Sequence, residues 1–274
     1  MFPQRRVSGL LVLCVLAISA CGGEQKSAPP AVPDVQTREV SYTAGATPLN
    51  GFVAWDATVQ GKRPGVIVVH EWWGHNEHSN EQARRLARAG FVGFALDMYG
   101  DGKNTAHPDS AMAVMQAATG NMDAMVARFE AALEQLKADP NVDPTRIAAI
   151  GYCFGGAVVL GMAQSGMDLQ AVVSFHGAMP PVVEVPLGSV EARMLVLNGG
   201  ADPMVPMAAV DSFATRLRVA GATVEVVNYP TAMHGFTNPK AESFGMAGLK
   251  YDATADEESW AAMLKLLEEV FRAP

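Results

Sequence analysis

The sequence predicts an α/β fold, in which a mostly parallel, twisted β-sheet is covered by helices on both faces. Strand-like and helix-like segments alternate along most of the chain, which is typical of parallel strands joined by helical crossovers. The inner strands, such as V-I-V-V at 66–69 and M-L-V-L at 194–197, are continuously apolar, as expected when both faces are buried. The chain has 274 residues, of which 49% are hydrophobic and 18% charged, so it can bury one large core.

The predicted elements are arranged in a regular order. Two early strands are expected to form a hairpin, and the later strands alternate with helices. The predicted strands are Arg38–Tyr42, Gly51–Trp55, Val66–His70, Phe91–Leu96, Ile147–Ile150, Ala171–Phe175, Met194–Leu197 and Val224–Tyr229. The predicted helices are Glu81–Ala89, Asp123–Ala138, Gly156–Gln164, Ala208–Ala220 and Ala255–Arg272. The segment between Phe175 and Arg193 has room for a loop but not for a lid domain, so an open site is expected.

The first 20 residues are predicted to be a bacterial lipoprotein signal peptide. Arg5 and Arg6 give a positive start, and Gly9–Ile18 is an apolar run too short to span a bilayer. The run I-S-A-C at 18–21 then resembles a site where cleavage precedes a cysteine that becomes acylated. Lipid on Cys21 predicts a chain anchored to the bacterial cell envelope, facing the periplasm or the exterior. An ordinary secretory signal with an incidental cysteine is the alternative.

A flexible tether is predicted at residues 21–37, followed by the folded domain at residues 38–274. The stretch 24–34 reads E-Q-K-S-A-P-P-A-V-P-D and is too polar and proline-rich to bury enough apolar surface to fold. Of the three cysteines, Cys14 lies in the predicted leader and Cys21 would carry lipid. Cys153 is then the one thiol of the mature domain. A thiol retained where oxidation threatens it is more easily explained by chemistry than by packing.

Charge and histidine spacing argue against nucleic acid and metal ions as partners. The formal net charge is −8, and no block rich in Lys or Arg appears, whereas phosphate neutralisation needs clustered cations. His75 and His78 stand three residues apart near Glu77, but the sequence has no further Cys/His cluster to complete a metal site. Loop or helix-start roles are predicted for these histidines, and no metal is expected.

Cys153 lies in a turn between a predicted strand and a predicted helix. The run 148–156 reads A-A-I-G-Y-C-F-G-G, so a glycine stands two residues before and two residues after the cysteine. In α/β-hydrolases such a sharp turn exposes the nucleophile above the sheet edge, and side chains at Gly151 and Gly155 would collide. The following helix aims its free N–H groups at the same point. The turn therefore predicts that Cys153 is a nucleophile in place of the usual serine.

Two further loops at strand ends supply an acid and a base. Asp202 lies in N-G-G-A-D-P at 198–203, and His234 lies in P-T-A-M-H-G-F at 230–236. Chemistry in open α/β sheets collects at the carboxyl ends of the strands, and the order Cys153, Asp202, His234 is that of α/β-hydrolases. His234 is expected to take the thiol proton or pair with the thiolate, and Asp202 to orient the imidazole.

Each of these assignments has a plainer alternative. Asp202 precedes a proline and could be a turn or helix-cap aspartate, and His234 could be an ordinary surface histidine. His176 follows the strand Ala171–Phe175 and is the second choice for the triad histidine, since it would precede the acid in the chain.

The run H-E-W-W-G at 70–74 follows another predicted strand. In α/β-hydrolases this loop supplies one N–H of the oxyanion hole, and the residue after the nucleophile supplies the other. The backbone N–H groups of Trp72 and Phe154 are therefore predicted to form the oxyanion hole.

Together these runs resemble the dienelactone hydrolase family, the carboxymethylenebutenolidases and their relatives. The runs are G-Y-C-F-G-G, H-E-W-W-G, A-L-D-M-Y-G at 95–100, A-D-P-M-V-P and H-G-F, and the similarity extends from Val40 to Phe271. It implies an α/β-hydrolase fold with a Cys-Asp-His triad that acts on esters or lactones without a cofactor. It also implies that Glu71 pairs with the resting Cys153 and helps to convert it to the thiolate. A glutamate that merely faces solvent is the alternative.

The sequence departs from the family where the substrate is bound. Better-known members hold a substrate carboxylate with two arginines, whose places are taken here by Gly100 and Thr237. Glycine and threonine cannot form a bidentate clamp, although Arg193 or Lys103 could stand in. Tyr99, in the same run as Gly100, is a candidate substrate contact.

The predicted function is hydrolysis of small esters or lactones through a thioester acyl-enzyme, with no cofactor. The missing arginines favour a neutral substrate over dienelactone itself. The alternative is a retired hydrolase fold that serves as a binding lipoprotein of the cell envelope, although a retired enzyme usually loses part of its catalytic set. A further possibility is an esterase or peptidase in which cysteine merely replaces serine.

Overall fold

The computed structural model describes residues 1, 3–4, 32–181 and 186–272. Residues Pro33–Pro274 form one compact unit, and the other unit, Met1–Val32, lies almost wholly outside the described residues. Most of the predicted signal peptide, the lipidation site at Cys21 and most of the predicted tether lie outside the described residues. The compact unit contains every other residue predicted to act in the site.

One eight-stranded sheet forms the centre of this unit. Its strands are β1 Val35–Ala44, β2 Thr47–Asp56, β3 Arg63–Val69, β4 Val92–Ala95, β5 Val142–Tyr152, β6 Ala171–Phe175, β7 Arg193–Gly199 and β8 Val224–Tyr229. The spatial order is β1-β2-β4-β3-β5-β6-β7-β8. Strand β2 is antiparallel to β1 and to β4, and the remaining neighbours are parallel. The predicted fold class is confirmed.

Helices cover both faces of the sheet. They are α1 Glu77–Arg88, α2 Pro108–Thr119, α3 Met122–Lys137, α4 Phe154–Gln164, α5 Met207–Val219 and α6 Ala253–Arg272, with a 3₁₀ turn at Ala241–Phe244. Side chains of α1 and α6 pack on one face, and those of α3, α4 and α5 on the other. Neighbouring residues of β3 alternate between the two cores: Val66 and Val68 face one, and Ile67 and Val69 face the other. Continuous apolarity of this strand thus reflects burial on both sides.

Helix α2 was not predicted, and α1 begins earlier than predicted. Of the α2 side chains, only Ala111 and Ala118 are buried, so the sequence lacks the apolar periodicity that marks a helix. Helix α1 begins at Glu77 because Asn76 caps it, with its side chain accepting from the His78 N–H at 3.0 Å. Ser79 completes the capping box.

The sheet also begins before the predicted end of the tether. Strand β1 starts at Val35, so residues 35–37 belong to the sheet, where they pair with residues 54–56 of β2. Most of the early β1 side chains are exposed on this edge strand, so its start carries no apolar signal.

No helix in the described part of the chain is long and apolar enough to cross a membrane.

Candidate active site

Cys153 occupies a strained turn between β5 and α4. Its φ and ψ are 54° and −113°, a conformation that costs a non-glycine residue about 1–3 kcal/mol. The Cys153 N–H donates to the Phe175 carbonyl of β6 at 3.0 Å, and the Cys153 carbonyl accepts from the Gly156 N–H at 3.1 Å. These bonds hold the turn from both sides and leave the side chain at the carboxyl end of the sheet.

The glycines around Cys153 are required by close backbone contacts. A Cβ at Gly151 would collide with the backbone carbonyl group of Gly155. A Cβ at Gly155 would lie 2.7 Å from the His70 carbonyl oxygen and closer still to that of Val69. As the sequence predicted, a side chain at either position would collide with the backbone.

The His234 imidazole is hydrogen-bonded to Asp202. Its Nδ1 lies 2.7 Å from Asp202 Oδ2, and both side chains are buried. The other oxygen, Oδ1, accepts from the N–H groups of Met204 at 2.7 Å and Val205 at 3.1 Å. Asp202 thus caps its own turn and orients His234 at once, so the two interpretations of this aspartate are compatible.

His234 also contacts the nucleophile. Its side chain is hydrogen-bonded to that of Cys153. Burial alone would lower the pKa of His234, but the charge on Cys153 and the hydrogen bonds to Asp202 and Cys153 outweigh it and raise the pKa to about 10. Such an arrangement is suited to keep the His234 imidazole protonated beside Cys153, with the proton available for a leaving group.

The loop after β3 is fixed beside the nucleophile by His70 and Tyr99. The His70 ring bonds the Glu71 carbonyl through Nδ1 at 2.6 Å and accepts the Met98 N–H at Nε2, 3.2 Å away. Burial is the main reason that the pKa of His70 falls to about 4, so the ring is neutral. The Tyr99 hydroxyl donates to the Trp72 carbonyl at 2.9 Å.

The loop after β3 carries Trp72, one of the two predicted oxyanion donors, and the other, Phe154, is the first residue of α4. Within the described chain, the N–H groups of Trp72 and Phe154 do not donate to any protein acceptor. The Phe154 ring stacks on that of His70, with 5.9 Å between the centroids. Both N–H groups are thus without a protein partner, and their role as an oxyanion hole stays a prediction.

Glu71 is buried and faces Asn238. Asn238 Nδ2 donates to Glu71 Oε2 at 2.6 Å, whereas the Cys153 side chain is bonded to His234. A carboxylate that merely faces solvent does not fit this burial. The predicted pairing of Glu71 with the resting thiol is not the arrangement seen here, and the gating role stays a prediction.

His176 does not take the place of the triad histidine. Its Nε2 lies 2.9 Å from the Thr237 hydroxyl, and its ring packs against His234 with 5.1 Å between centroids. Burial, followed by the nearby His234 and His78, holds the pKa of His176 well below its usual value. Asp202 is bonded to His234 instead.

Asp97 is a buried residue for which no role was predicted. Its carboxylate accepts the N–H groups of Tyr99 at 3.0 Å, Gly100 at 2.8 Å and Gly102 at 2.7 Å, and so shapes the loop after β4. An aspartate just before a glycine-containing turn is a local signal for such a cap. Gly100 itself has φ of 87°, and a Cβ there would lie 2.8 Å from Thr47 Cγ2, so an arginine would be strained.

Two adjacent cavities lie beside Tyr99. One, of about 360 Å³, is lined by Tyr99, Lys103, Arg128 and the α2 residues Ala113, Val114 and Ala117. The other, of about 320 Å³, also includes Tyr99 and Lys103, together with Trp73. The Tyr99 hydroxyl donates to the Trp72 carbonyl, so Tyr99 links both cavities to the loop after β3, although neither cavity is lined by Cys153 or His234.

The two cations considered as substitutes for the missing arginines differ in position. Arg193 is the first residue of β7, so it lies at the amino end of that strand, whereas Cys153 lies at the carboxyl end of the sheet. Its side chain pairs with Glu269 at 3.1 Å. Lys103 lines the cavities beside Tyr99 and pairs with Asp101 at 3.0 Å, with about half of both side chains exposed. Lys103 is therefore the better placed of the two.

The described residues contain no group of three or more His, Cys, Asp and Glu side chains arranged to hold a metal ion. His75 and His78 flank Asn76, the N-cap of α1, and the His78 ring packs edge-on against Tyr152 with centroids 5.4 Å apart. These are structural contacts of a helix start.

The chain is similar to known proteins over most of its length. Residues 49–271 match the Dienelactone hydrolase family. Protein usf of Aquifex pyrophilus is 30% identical over 235 residues, which cover 84% of this chain and 97% of that protein. A carboxymethylenebutenolidase-like protein of Methylorubrum extorquens is 27% identical over 258 residues, covering 85% of each chain.

A solved structure is similar over the same region. The crystal structure of P91, a dienelactone hydrolase-like promiscuous phosphotriesterase from metagenomic libraries, is 40% identical and superposes with a TM-score of 0.82. The match covers 86% of this chain and 98% of P91.

Proposed function

Because the chain belongs to the dienelactone hydrolase family, whose members hydrolyse ester or lactone bonds, we propose that it does so through Cys153, His234 and Asp202. Cys153 is the nucleophile, His234 the general base and acid, and Asp202 the carboxylate that orients His234. The observation that carries the proposal is the buried His234 imidazole, bonded to Asp202 at 2.7 Å on one side and to Cys153 on the other.

The proposed reaction has two halves. The Cys153 thiolate attacks the carbonyl carbon, and the oxygen that gains negative charge is bound by the N–H groups of Trp72 and Phe154, which stabilise it by a few kcal/mol. His234 gives its proton to the departing alkoxide, leaving a thioester. Water, deprotonated by His234, then attacks the thioester, and the acid is released as the Cys153 sulfur leaves.

The proposed substrate is a small, neutral ester or lactone. Gly100 and Thr237 provide no cation, and Thr237 is buried against His176. The part of the substrate remote from the reacting carbonyl is proposed to lie in the cavities beside Tyr99, where Ala113, Val114 and Ala117 leave room for a small apolar group.

A second candidate activity is hydrolysis of neutral phosphotriesters. It is suggested by P91, which is 40% identical over 98% of its length and is described as a promiscuous phosphotriesterase. A thiolate with adjacent N–H donors is suited to attack phosphorus as well as carbon, since both reactions place negative charge on an oxygen.

Glu71 is proposed to control access of Cys153 to its thiolate form. The support is its buried position on the loop after β3 and its hydrogen bond to Asn238, which follows the His234 loop. If the Glu71 carboxylate turned from Asn238 toward Cys153, it would accept a hydrogen bond from the Cys153 S–H, and its negative charge would favour the thiol over the thiolate and draw the sulfur away from His234. Glu71→Gln should then raise the rate at which iodoacetamide modifies the unliganded enzyme, and an unchanged rate would exclude the gate.

The chain is also proposed to be lipid-anchored at Cys21 in the bacterial cell envelope. The support is the sequence of the leader alone. Mature protein should partition into detergent and begin at a lipid-modified Cys21. Recovery of an unmodified Cys21 or of an intact N-terminus would contradict this proposal.

The proposed catalysis is tested by a panel of small esters, lactones and neutral phosphotriesters, assayed with wild type and Cys153→Ala. Alanine creates almost no cavity at this turn, so the variant should fold with little change in stability and lose turnover. Turnover that survives in Cys153→Ala would place the chemistry elsewhere. A wild type that binds but never hydrolyses any member would favour the alternative, a retired fold used for binding.

A further inference from the structure

The carboxyl end of β6 contacts both halves of the proposed machinery. Phe175, the last residue of the strand, accepts the N–H of Cys153 at 3.0 Å. The next residue, His176, is fully buried and donates its own N–H to Leu197 of β7 at 2.8 Å. Phe175 thus holds the Cys153 turn, and the residue directly after it is a buried histidine.

His176 has an unfavourable backbone conformation. Its φ is 40°, in the left-handed region that costs a residue with a Cβ free energy and persists only where the surroundings impose it. Glycine would adopt this conformation without strain. A bulky imidazole at this point therefore suggests that the ring itself is needed.

The ring of His176 supports the loop that carries His234. It packs against the His234 ring with centroids 5.1 Å apart and an interplanar angle of 66°, and against Phe236 at 5.1 Å and 77°. Its Nε2 lies 2.9 Å from the hydroxyl of Thr237, on the same loop. Three successive contacts, to residues 234, 236 and 237, thus join this loop to the end of β6.

Such support is needed because acylation of Cys153 removes one of the two hydrogen bonds of the His234 ring and leaves the bond to Asp202. The bond from Nδ1 to Asp202 leaves His234 free to tilt about that axis, whereas Nε2 must face first the sulfur and then the leaving oxygen. Small misplacements of reacting groups cost large factors in rate. Because His176 is neutral, it supports His234 without competing for its proton.

We propose that His176 and Thr237 are positioning residues that hold the His234 ring toward Cys153. The inference rests on the proposed role of His234 as general base and acid. It assigns a function to Thr237, which stands where the family has a substrate-binding arginine, and it makes the end of β6 the common support of nucleophile and base.

The test uses a matched pair at Thr237. Thr237→Val keeps the shape and removes the hydroxyl, whereas Thr237→Ser keeps the hydroxyl. We expect Thr237→Val to lower kcat about ten-fold with KM within two-fold, and Thr237→Ser to stay near wild type. His176→Asn, which tolerates a positive φ but cannot replace the ring, should lower kcat further. A wild-type kcat in Thr237→Val, or an equal loss in Thr237→Ser, would overturn the proposal.

A second readout separates this proposal from the proposed function. In the full chain carrying Cys14→Ser and Cys21→Ser, Cys153 is the one remaining thiol. Its alkylation by iodoacetamide should be slower in His176→Asn and Thr237→Val than in the parent chain, with His234→Ala as the lower limit. Equal rates in parent and both variants would overturn the positioning role. If no ester is hydrolysed by wild type, the proposed function fails, while this comparison still tests the support of His234. If Thr237→Val does not fold, Thr237→Ala takes its place in both assays.

Discussion

The carboxyl end of the sheet around Cys153 and the region around Tyr99 and α2 are built in different ways. At the carboxyl end of the sheet, Cys153 and His176 have strained backbones. The side chains of His234 and Asp202 are buried there and hydrogen-bonded to each other. Beside Tyr99, cavities of about 360 and 320 Å³ remain open, and α2 buries only two of its side chains.

The contrast fits the proposed separation between the residues that carry out the chemistry and those that select the substrate. Groups that transfer protons need fixed positions, which strand ends and buried hydrogen bonds provide. The group of the substrate that does not react needs only space and a suitable surface, which small residues on an exposed helix provide. Substitutions at the carboxyl end of the sheet should therefore lower the rate of hydrolysis for every substrate. Substitutions beside Tyr99 should instead change which substrates are preferred.

The largest expected effect is that of Asp202→Asn. Loss of the charge that orients His234 should lower kcat by roughly a hundred- to ten-thousand-fold for every substrate. The charge on Cys153 and the bond to Asp202 raise the pKa of His234 to about 10, so the wild-type rate should fall as pH rises through about 10, where His234 loses the proton that it gives to the leaving group. In Asp202→Asn that pKa falls, and the alkaline limit should move to lower pH. An unmoved limit would contradict the assignment.

Two glycine substitutions in α4 should distinguish its crowded first turn, beside Cys153, from its uncrowded later part. A Cβ at Gly155 would collide with the backbone of Val69 and His70, whereas one at Gly161 would meet no atom within 4 Å. Gly155→Ala should lower the free energy of unfolding by about 3 kcal/mol, and it should lower kcat by up to about a hundred-fold because it displaces the Cys153 turn. Gly161→Ala, as the matched control, should leave activity intact and stabilise the helix by about 0.5–1 kcal/mol. Denaturant unfolding and ester assays measure both.

Substrate charge should have an intermediate effect. With Gly100 and Thr237 in place of the arginines, neutral esters or lactones should be hydrolysed faster than analogues with a free carboxylate at the clamped position. We expect roughly ten- to a hundred-fold in kcat/KM, or about 1–3 kcal/mol. A wild type that prefers the carboxylate would show that another cation has taken over. Arginine at Gly100 is a poor way to reverse the preference, because φ is 87° there.

The smallest expected effect is that of Lys103→Met. The Lys103 side chain is about half exposed and already paired with Asp101, so its charge is screened by water. We expect kcat/KM for neutral substrates to change less than about three-fold. A carboxylate-bearing substrate that loses ten-fold or more would identify Lys103 as the cation of the site.

The sequence predicted the parts of the molecule that depend on local patterns. Strands such as β3 and β7 are continuously apolar, and the glycines around Cys153 report directly on a crowded turn. Asp202 and His234 were predicted because each lies in a loop that follows a strand. Helix α2 was missed because its burial is limited to alanines. The contacts of Glu71 with Asn238 and of His176 with Thr237 join residues far apart in the chain, so no local pattern indicates them.

The central claim is a covalent intermediate on Cys153, and its most direct test is the mass of the enzyme during turnover. Wild type is mixed with a slowly hydrolysed ester, quenched in acid and digested. We predict an acyl group on the peptide that contains Cys153, which forms and decays at the rate of turnover and is absent from His234→Ala. Hydrolysis by wild type with no acyl adduct on Cys153, or with the adduct on another residue, would contradict the account.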